Sequence, residues 1–308
     1  MRPTLLCLAL FACDSETPTD PTVDDTDETD VAADDTDYAE AADLLTLTTA
    51  VPGDTTCFDP AGTWGAQTAD PSCVAQVPVT GDIEDFESGD GVASATIELF
   101  WDDTVGDAPD ATLTSDADGL VSGGDAKTCS PFTARIATDP LHEETKLTVQ
   151  QHWTEGPGNP MDTFFNSVAG STYLLIPAIL GVRPDATRGI VAGTAYDCGG
   201  EGVPVSNVQV LVKDSTGAYP TAVRVHYFVD EFPMGTATET SADGLWMALN
   251  VPPGRVTLEM WGLVDGEPQL LGETGADILP DGITITDLYL GDDDGVKLDA
   301  ACLSPCGL

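Results

Sequence analysis

The sequence predicts an all-β protein in which two tandem β-sandwiches follow a signal segment and an acidic linker. Short runs at 95–101, 146–153, 207–213, 255–261 and 283–290 carry β-branched and aromatic residues in partial alternation, the pattern of strands with one buried face. The chain's 31 glycines and 22 prolines supply turns between such runs, which argues for sandwiches over a parallel α/β sheet. An internal repeat sets the number of units at two. Val79-Thr80-Gly81 through Asp85, then Gly91-Val92 and Ile97-Glu98-Leu99, parallels Val191-Ala192-Gly193 through Asp197, then Gly202-Val203 and Val208-Gln209-Val210. Farther along, Thr114-Ser115-Asp116-Ala117-Asp118-Gly119-Leu120 matches Thr240-Ser241-Ala242-Asp243-Gly244-Leu245, so one strand-turn-strand design occurs twice. Roughly 265 residues follow the linker, room for two domains of ordinary size.

Residues 1–12 read as a signal peptide. Arg2 precedes the apolar run Leu5-Leu6-Cys7-Leu8-Ala9-Leu10-Phe11, and Leu10-Phe11-Ala12-Cys13 resembles the lipobox behind which a signal peptidase cuts and lipid is attached to the cysteine. That run is about a third of the ~20 residues that span a bilayer, so it is no transmembrane helix. Plain secretion is the competing reading, and the abrupt change of composition after Cys13 favours the lipid. Cys13 is thus the expected lipidation site. The chain is expected in a bacterial cell envelope, held to a membrane by its lipid and facing the periplasm or the exterior.

Residues 13–43 form the linker. It holds thirteen of the 53 acids, no Lys or Arg, and too little apolar surface for a core, so it is expected to be disordered and extended by its own repulsion. Aspartates suit calcium, yet the ligand spacing of an EF-hand loop is absent. The whole chain carries a net charge of −43, which repels phosphate backbones and anionic headgroups. Nucleic acid is therefore not an expected partner, the membrane is reached only through the lipid, and any glycan or protein ligand stays unassigned.

Of eight cysteines, Cys7 leaves with the signal and Cys13 takes the lipid. Cys57, Cys73, Cys129, Cys198, Cys302 and Cys306 remain, an even set that predicts disulfides in an exported chain. Zinc is the rival use of these thiols. No Cys-x-x-Cys pair exists and only His142, His152 and His226 could assist, so no metal and no cofactor are predicted.

The first sandwich is expected over residues 44–188, with a short helix near its end from Ser171 to Gly181, capped by Ser or Thr and kinked or split by Pro177. A compact joint at residues 183–188 should make the two units abut. The second sandwich, residues 189–308, ends in a tail. Its run Gly193-Thr-Ala-Tyr-Asp197, then Gly202-Val-Pro-Val-Ser-Asn-Val-Gln-Val210, Thr240-Ser-Ala-Asp-Gly-Leu-Trp246 and Asn250-Val-Pro-Pro-Gly254 resembles the carboxypeptidase regulatory-like domain, a seven-stranded prealbumin-type sandwich. Each piece has a physical job: glycines for turns with unusual backbone angles, alternating valines for two packed faces, and Pro-Pro-Gly to close a hairpin. The fold class so implied is prealbumin-like or Ig-like for both copies, the first being the more divergent. In such sandwiches the first and last strands lie side by side and parallel. The resemblance therefore implies a clasp from Cys198 to Cys302 or Cys306, with Cys57 to Cys73 as a local pair.

No catalytic constellation stands out. His142-Glu143-Glu144 begins like a metalloprotease helix but lacks the second His one turn on, and there is no Gly-x-Ser-x-Gly elbow. A triad through His152 or His226 has no sequence support beyond the histidines themselves. The metal and catalytic residues of carboxypeptidases sit in a separate domain, for which this chain has no room. Among the tryptophans, Trp246 is expected in the core, while Trp153, beside Gly156-Pro157-Gly158, is the candidate for an exposed stacking platform. Asp116, Asp118, Asp243 and the run 292–294 read as turn chemistry in preference to calcium ligands. The sequence thus points to a non-enzymatic, lipid-anchored envelope or surface protein with a structural or binding role. The alternative is a carbohydrate-binding or adhesion module accessory to an extracellular enzyme.

Overall fold

The computed structural model describes residues 38–59, 68–137, 145–152, 156–198, 203–291, 298 and 300–303. An N-terminal arm holds β1 (Tyr38–Ala39) and the single turn α1 (Ala41–Leu44). Next come β2 (Gln76–Asp85), β3 (Thr96–Phe100), β4 (Ala111–Thr114), β5 (Leu120–Lys127), β6 (Phe132–Ala137), β7 (Thr145–His152) and β8 (Met161–Ala169). Helix α2 (Gly170–Ile179) leads to β9 (Gly189–Tyr196), β10 (Val208–Lys213), β11 (Tyr219–Pro220), β12 (Arg224–Val229) and β13 (Phe232–Met234). The chain continues through β14 (Leu245–Val251), β15 (Gly254–Val264), β16 (Glu267–Ile278), β17 (Gly282–Ile285) and β18 (Leu288–Tyr289), and a short 3-10 turn at Ala300–Cys302 lies in the tail.

The strands close over two sandwich-like cores within one compact unit. In the first, β5-β2-β8 faces β4-β3-β6-β7. Val79 and Ile83 of β2 meet Ile97 and Leu99 of β3, Phe132 of β6 and Phe165 of β8 in one core. In the second, β10-β15-β16 faces β13-β12-β14-β9-β17, closed over Val191, Val208, Val210, Trp246, Leu258 and Met260. Trp246 is 1% exposed, a core residue. First and last strands run parallel in both: β2 with β8, and β9 with β17 and β18.

The repeat is real at the level of single hydrogen bonds. Ala95 N–H donates to Ser115 Oγ (2.8 Å), Ser115 N–H to Ala95 O (3.0 Å) and Ser115 Oγ to Val92 O (2.6 Å). Val208 N–H donates to Thr240 Oγ1 (3.2 Å), Thr240 N–H to Val208 O (2.9 Å) and Thr240 Oγ1 to Val205 O (2.9 Å). This frame equates Val92 with Val205 and Ala95 with Val208. It therefore shifts by two residues the match of Gly91-Val92 with Gly202-Val203, because the turn after the opening strand differs in length. Gly119 and Gly244, at φ +85° and +67°, keep the central turn in register.

Several local expectations change. The linker is structured from Tyr38 onward, since β1 pairs with β11. Pro252 and Pro253 do not close a hairpin; β14 and β15 lie in opposite sheets, and the prolines, which cannot extend a ladder, let the chain cross between them. Helix α2 begins at Gly170 with no side-chain cap and runs through Pro177; the Thr172 hydroxyl donates to the Glu87 carboxylate instead. Its buried side packs over Ile190, Phe228, Met247, Leu249 and Ile283. Among the described residues no helix is long and apolar enough to cross a membrane.

The two sandwiches are joined by more than a linker. Strand β7 of the first pairs in parallel with β17 of the second, Leu147 opposite Gly282 through Gln150 opposite Ile285, which makes one path of nine strands from β13 to β4. Arg255 reaches back to Asp103 (2.6 Å), and Lys146 to Asp281 (2.7 Å). Both chain ends also cross the boundary expected at residue 188. The arm packs on the second sandwich, where Thr46 N–H donates to Gln209 Oε1 (2.7 Å), Ala50 bridges to Leu263 and Val51 meets the core. The tail packs on the first, with Leu298 and Cys302 against Cys73 and Cys129.

Candidate functional site

Disulfides close both crossings. Cys57 of the arm bonds Cys198 at the end of β9, and Cys302 of the tail bonds Cys129 after β5. Cys73 is disulfide-bonded as well, and Cys306 lies outside the described residues. The pairing of Cys198 with Cys302 is thus corrected, as is that of Cys57 with Cys73. The parallel closing strand does arrive beside β9, where Leu290 N–H donates to Tyr196 O (3.0 Å). The arm already fills the place next to Cys198, however, and Cys57 packs on Gly291, so the tail continues to the other sandwich.

The remaining candidates from sequence fall into two groups. Cys13, His142, Trp64, Trp153 and the aspartates at 292–294 lie outside the described residues. Those inside are engaged locally. Asp116 Oδ1 accepts from the N–H groups of Asp118 and Leu120 (2.9 Å each), and Asp243 from Ser241 Oγ (2.7 Å) and Glu231 N–H (2.9 Å), which is turn chemistry. Among the described residues no group of three His, Cys, Asp or Glu side chains could hold a metal. His226 is half-buried on β12 with Nε2 unpartnered; burial, and then Arg224, hold its pKa below the ordinary value. The indole N–H of Trp101 goes to Asp125 O (2.9 Å) and that of Trp261 to Glu259 (2.8 Å).

Glu259 is the buried charge that the sequence reading missed. Its side chain is 1% exposed on the outer face of β15, where it accepts from Tyr219 Oη (2.7 Å), Trp261 Nε1 and Lys213 Nζ. Burial, and then Glu259, push the Tyr219 hydroxyl well above the ordinary tyrosine pKa, so it stays a donor. Four side chains from β10, β11 and β15 thereby lock β11, and β11 carries β1 of the arm. A glutamate in the middle of the alternating run Val256-Thr257-Leu258-Glu259-Met260-Trp261 was the available signal. Beside this cluster runs a cleft of ≈ 520 Å³, bordered by β10, the segment from Tyr219 to Val225, Tyr227, and Leu44 and Thr46 of the arm.

Asp287 titrates abnormally. Its carboxyl is buried where the closing strand breaks between β17 and β18, and burial raises its pKa to about 6 although it accepts from Thr194 N–H (2.7 Å). Between pH 4 and 6 the folded chain holds a proton that the unfolded chain has released, so this group weakens folding as pH rises through that window. Asp287→Asn keeps the acceptor oxygen without the charge. It should raise stability at pH 8 by up to ~3 kcal/mol, with the gain shrinking toward pH 4, as urea unfolding at the two pH values would show.

No family model matches the chain, and no curated protein matches it. Among solved structures it is similar to the Bacillus anthracis TIE protein (11% identity, 72% of this chain and 35% of that one, TM-score 0.24). Similar too are the shaft pilin SpaA of Lactobacillus rhamnosus GG (8%, 72% and 100%, TM-score 0.24) and chlorocatechol 1,2-dioxygenase of Pseudomonas putida (10%, 34% and 63%, TM-score 0.22). The chain thus spans about a third of the first of these and under two thirds of the dioxygenase. The strand orders given above, not these superpositions, define the class: a multi-sheet β-sandwich protein.

Proposed function

We propose that the chain is a non-enzymatic spacer of a bacterial envelope, lipid-anchored at Cys13 and carried off the membrane by its acidic linker. The observation that carries this reading is the crossed strapping: the arm is bonded to the second sandwich and the tail to the first, so load applied at either end meets a disulfide before it meets a core. Disulfides closing such long loops fit an oxidising compartment outside the cytoplasm. The parallel first and last strands support the likeness of both copies to the carboxypeptidase regulatory-like domain. That module occurs with many activities, so the role rests on the strapping and not on the fold.

The anchor is tested by Cys13→Ser. Lipid labelling should disappear and the protein should move from the membrane to the soluble fraction with its thermal unfolding unchanged. A mutant that still pellets with membranes would sink the lipoprotein reading, since so acidic a chain has no electrostatic means of attachment to anionic lipid.

A further inference from the structure

Helix α2 has two apolar faces, and the second sandwich covers one of them. Thr172, Tyr173 and Pro177 are buried, and with about 3.6 residues per turn the opposite side carries Leu174, Leu175, Ala178 and Ile179. Leu174, Leu175 and Ile179 are 56%, 50% and 44% exposed. Phe86, 58% exposed, extends this stripe at the start of the helix, where its N–H donates to Ser167 O (2.8 Å) and the neighbouring Glu87 takes the Thr172 hydroxyl. From Ala169 to Val182 the sequence has no charged residue, on a chain with a net charge of −43. A helix apolar on all sides belongs in an interior.

The charges at its two ends say what covers it. Glu87 stands at the N-terminal end of the stripe, and Arg183 follows the C-terminal end. Arg183 is exposed and has no ion pair among the described residues, whereas the nearby carboxylates of Asp185 and Asp281 are paired with Arg188 and Lys146. Such a stripe is its own complement. Laid antiparallel on a second copy about a two-fold axis, each Arg183 meets the other copy's Glu87, the helix dipoles oppose, and Leu175 stands over the small Ala178. A lipid surface fits less well, since it would crowd Glu87 without offering it a partner.

We propose that α2 is a homodimer face, on which a second copy of this chain packs antiparallel through Leu174, Leu175, Ala178 and Ile179. This stands apart from the spacer reading, since the face is the same with or without a lipid.

The full oxidised chain carrying Cys13→Ser is followed by sedimentation equilibrium up to millimolar concentration, in about 0.15 M salt to screen the net repulsion between copies. A reversible monomer–dimer equilibrium is expected, weak because the stripe is small against the roughly 20–30 residues a side of a standard interface. Leu175→Glu should weaken it about tenfold or more with thermal unfolding unchanged. Arg183→Glu should weaken it about fivefold, and Glu87→Arg added to that variant should restore it. A chain that stays monomeric at millimolar concentration overturns the proposal, as does a dimer indifferent to Leu175→Glu or a charge exchange without recovery. A monomeric chain that floats with neutral phosphatidylcholine vesicles, and stops doing so with Leu175→Glu, would make a lipid surface the occupant and overturn the second-copy reading.

Discussion

Loss of the Cys129 to Cys302 bond through paired alanine substitution should lower unfolding free energy by about 3 to 5 kcal/mol. The bond closes a loop with a sequence separation of 173, so the unfolded chain loses much conformational freedom when it is present. Its residues are also 3% and 0% exposed and form a small cluster with Cys73 and Leu298, so the substitution removes packing beyond the covalent link. The same pair of changes at Cys57 and Cys198, with a separation of 141, should cost a similar amount. The two losses differ in what they release. Without Cys302 the tail should become the first point of proteolysis; without Cys57 the arm should. Denaturant midpoints and mass-spectrometric mapping of early cleavage sites distinguish the two. A midpoint unchanged for either pair would show that the strapping adds nothing to stability and would remove the ground for the spacer reading.

Much of the architecture was legible because it is local. Alternation in runs such as Val256 to Met260 reports one buried face directly, and the turn glycines Gly119 and Gly244 mark the same corner twice. The register between copies was misread by two residues because Gly-Val dipeptides are short, and the true frame is set by Ser115 and Thr240, whose hydroxyls act only once the strands are assembled. Long-range facts were not legible. Six cysteines admit fifteen pairings, and the choice between Cys57 and Cys302 for Cys198 depends on which segment reaches the end of β9 first. That β12 pairs with β14 in the sheet opposite β10 was hidden for a similar reason, since packing across the whole sandwich decides it.

Gly81 and Gly193 should be the least replaceable residues in the chain, and alanine at either should cost ~3 kcal/mol or more or prevent folding. Neither adopts a left-handed backbone, so the turn role read from sequence does not apply to Gly193. Each sits instead in the opening strand where the parallel closing strand crowds it. A Cβ on Gly81 would lie 1.8 Å from Thr163 O, and one on Gly193 1.7 Å from Thr286 O. Both obstacles are backbone oxygens of the closing segment, Thr163 in β8 and Thr286 just past β17, so relief requires moving that segment off β2 or β9, and with it the seam that closes each core. Gly235→Ala is the control: its Cβ would meet nothing within 4 Å, and its effect should stay within ~0.5 kcal/mol. Because the two glycines hold the same place in the repeat, their costs should match. Strong destabilisation at one and tolerance at the other would show that the closing strands are not equivalent.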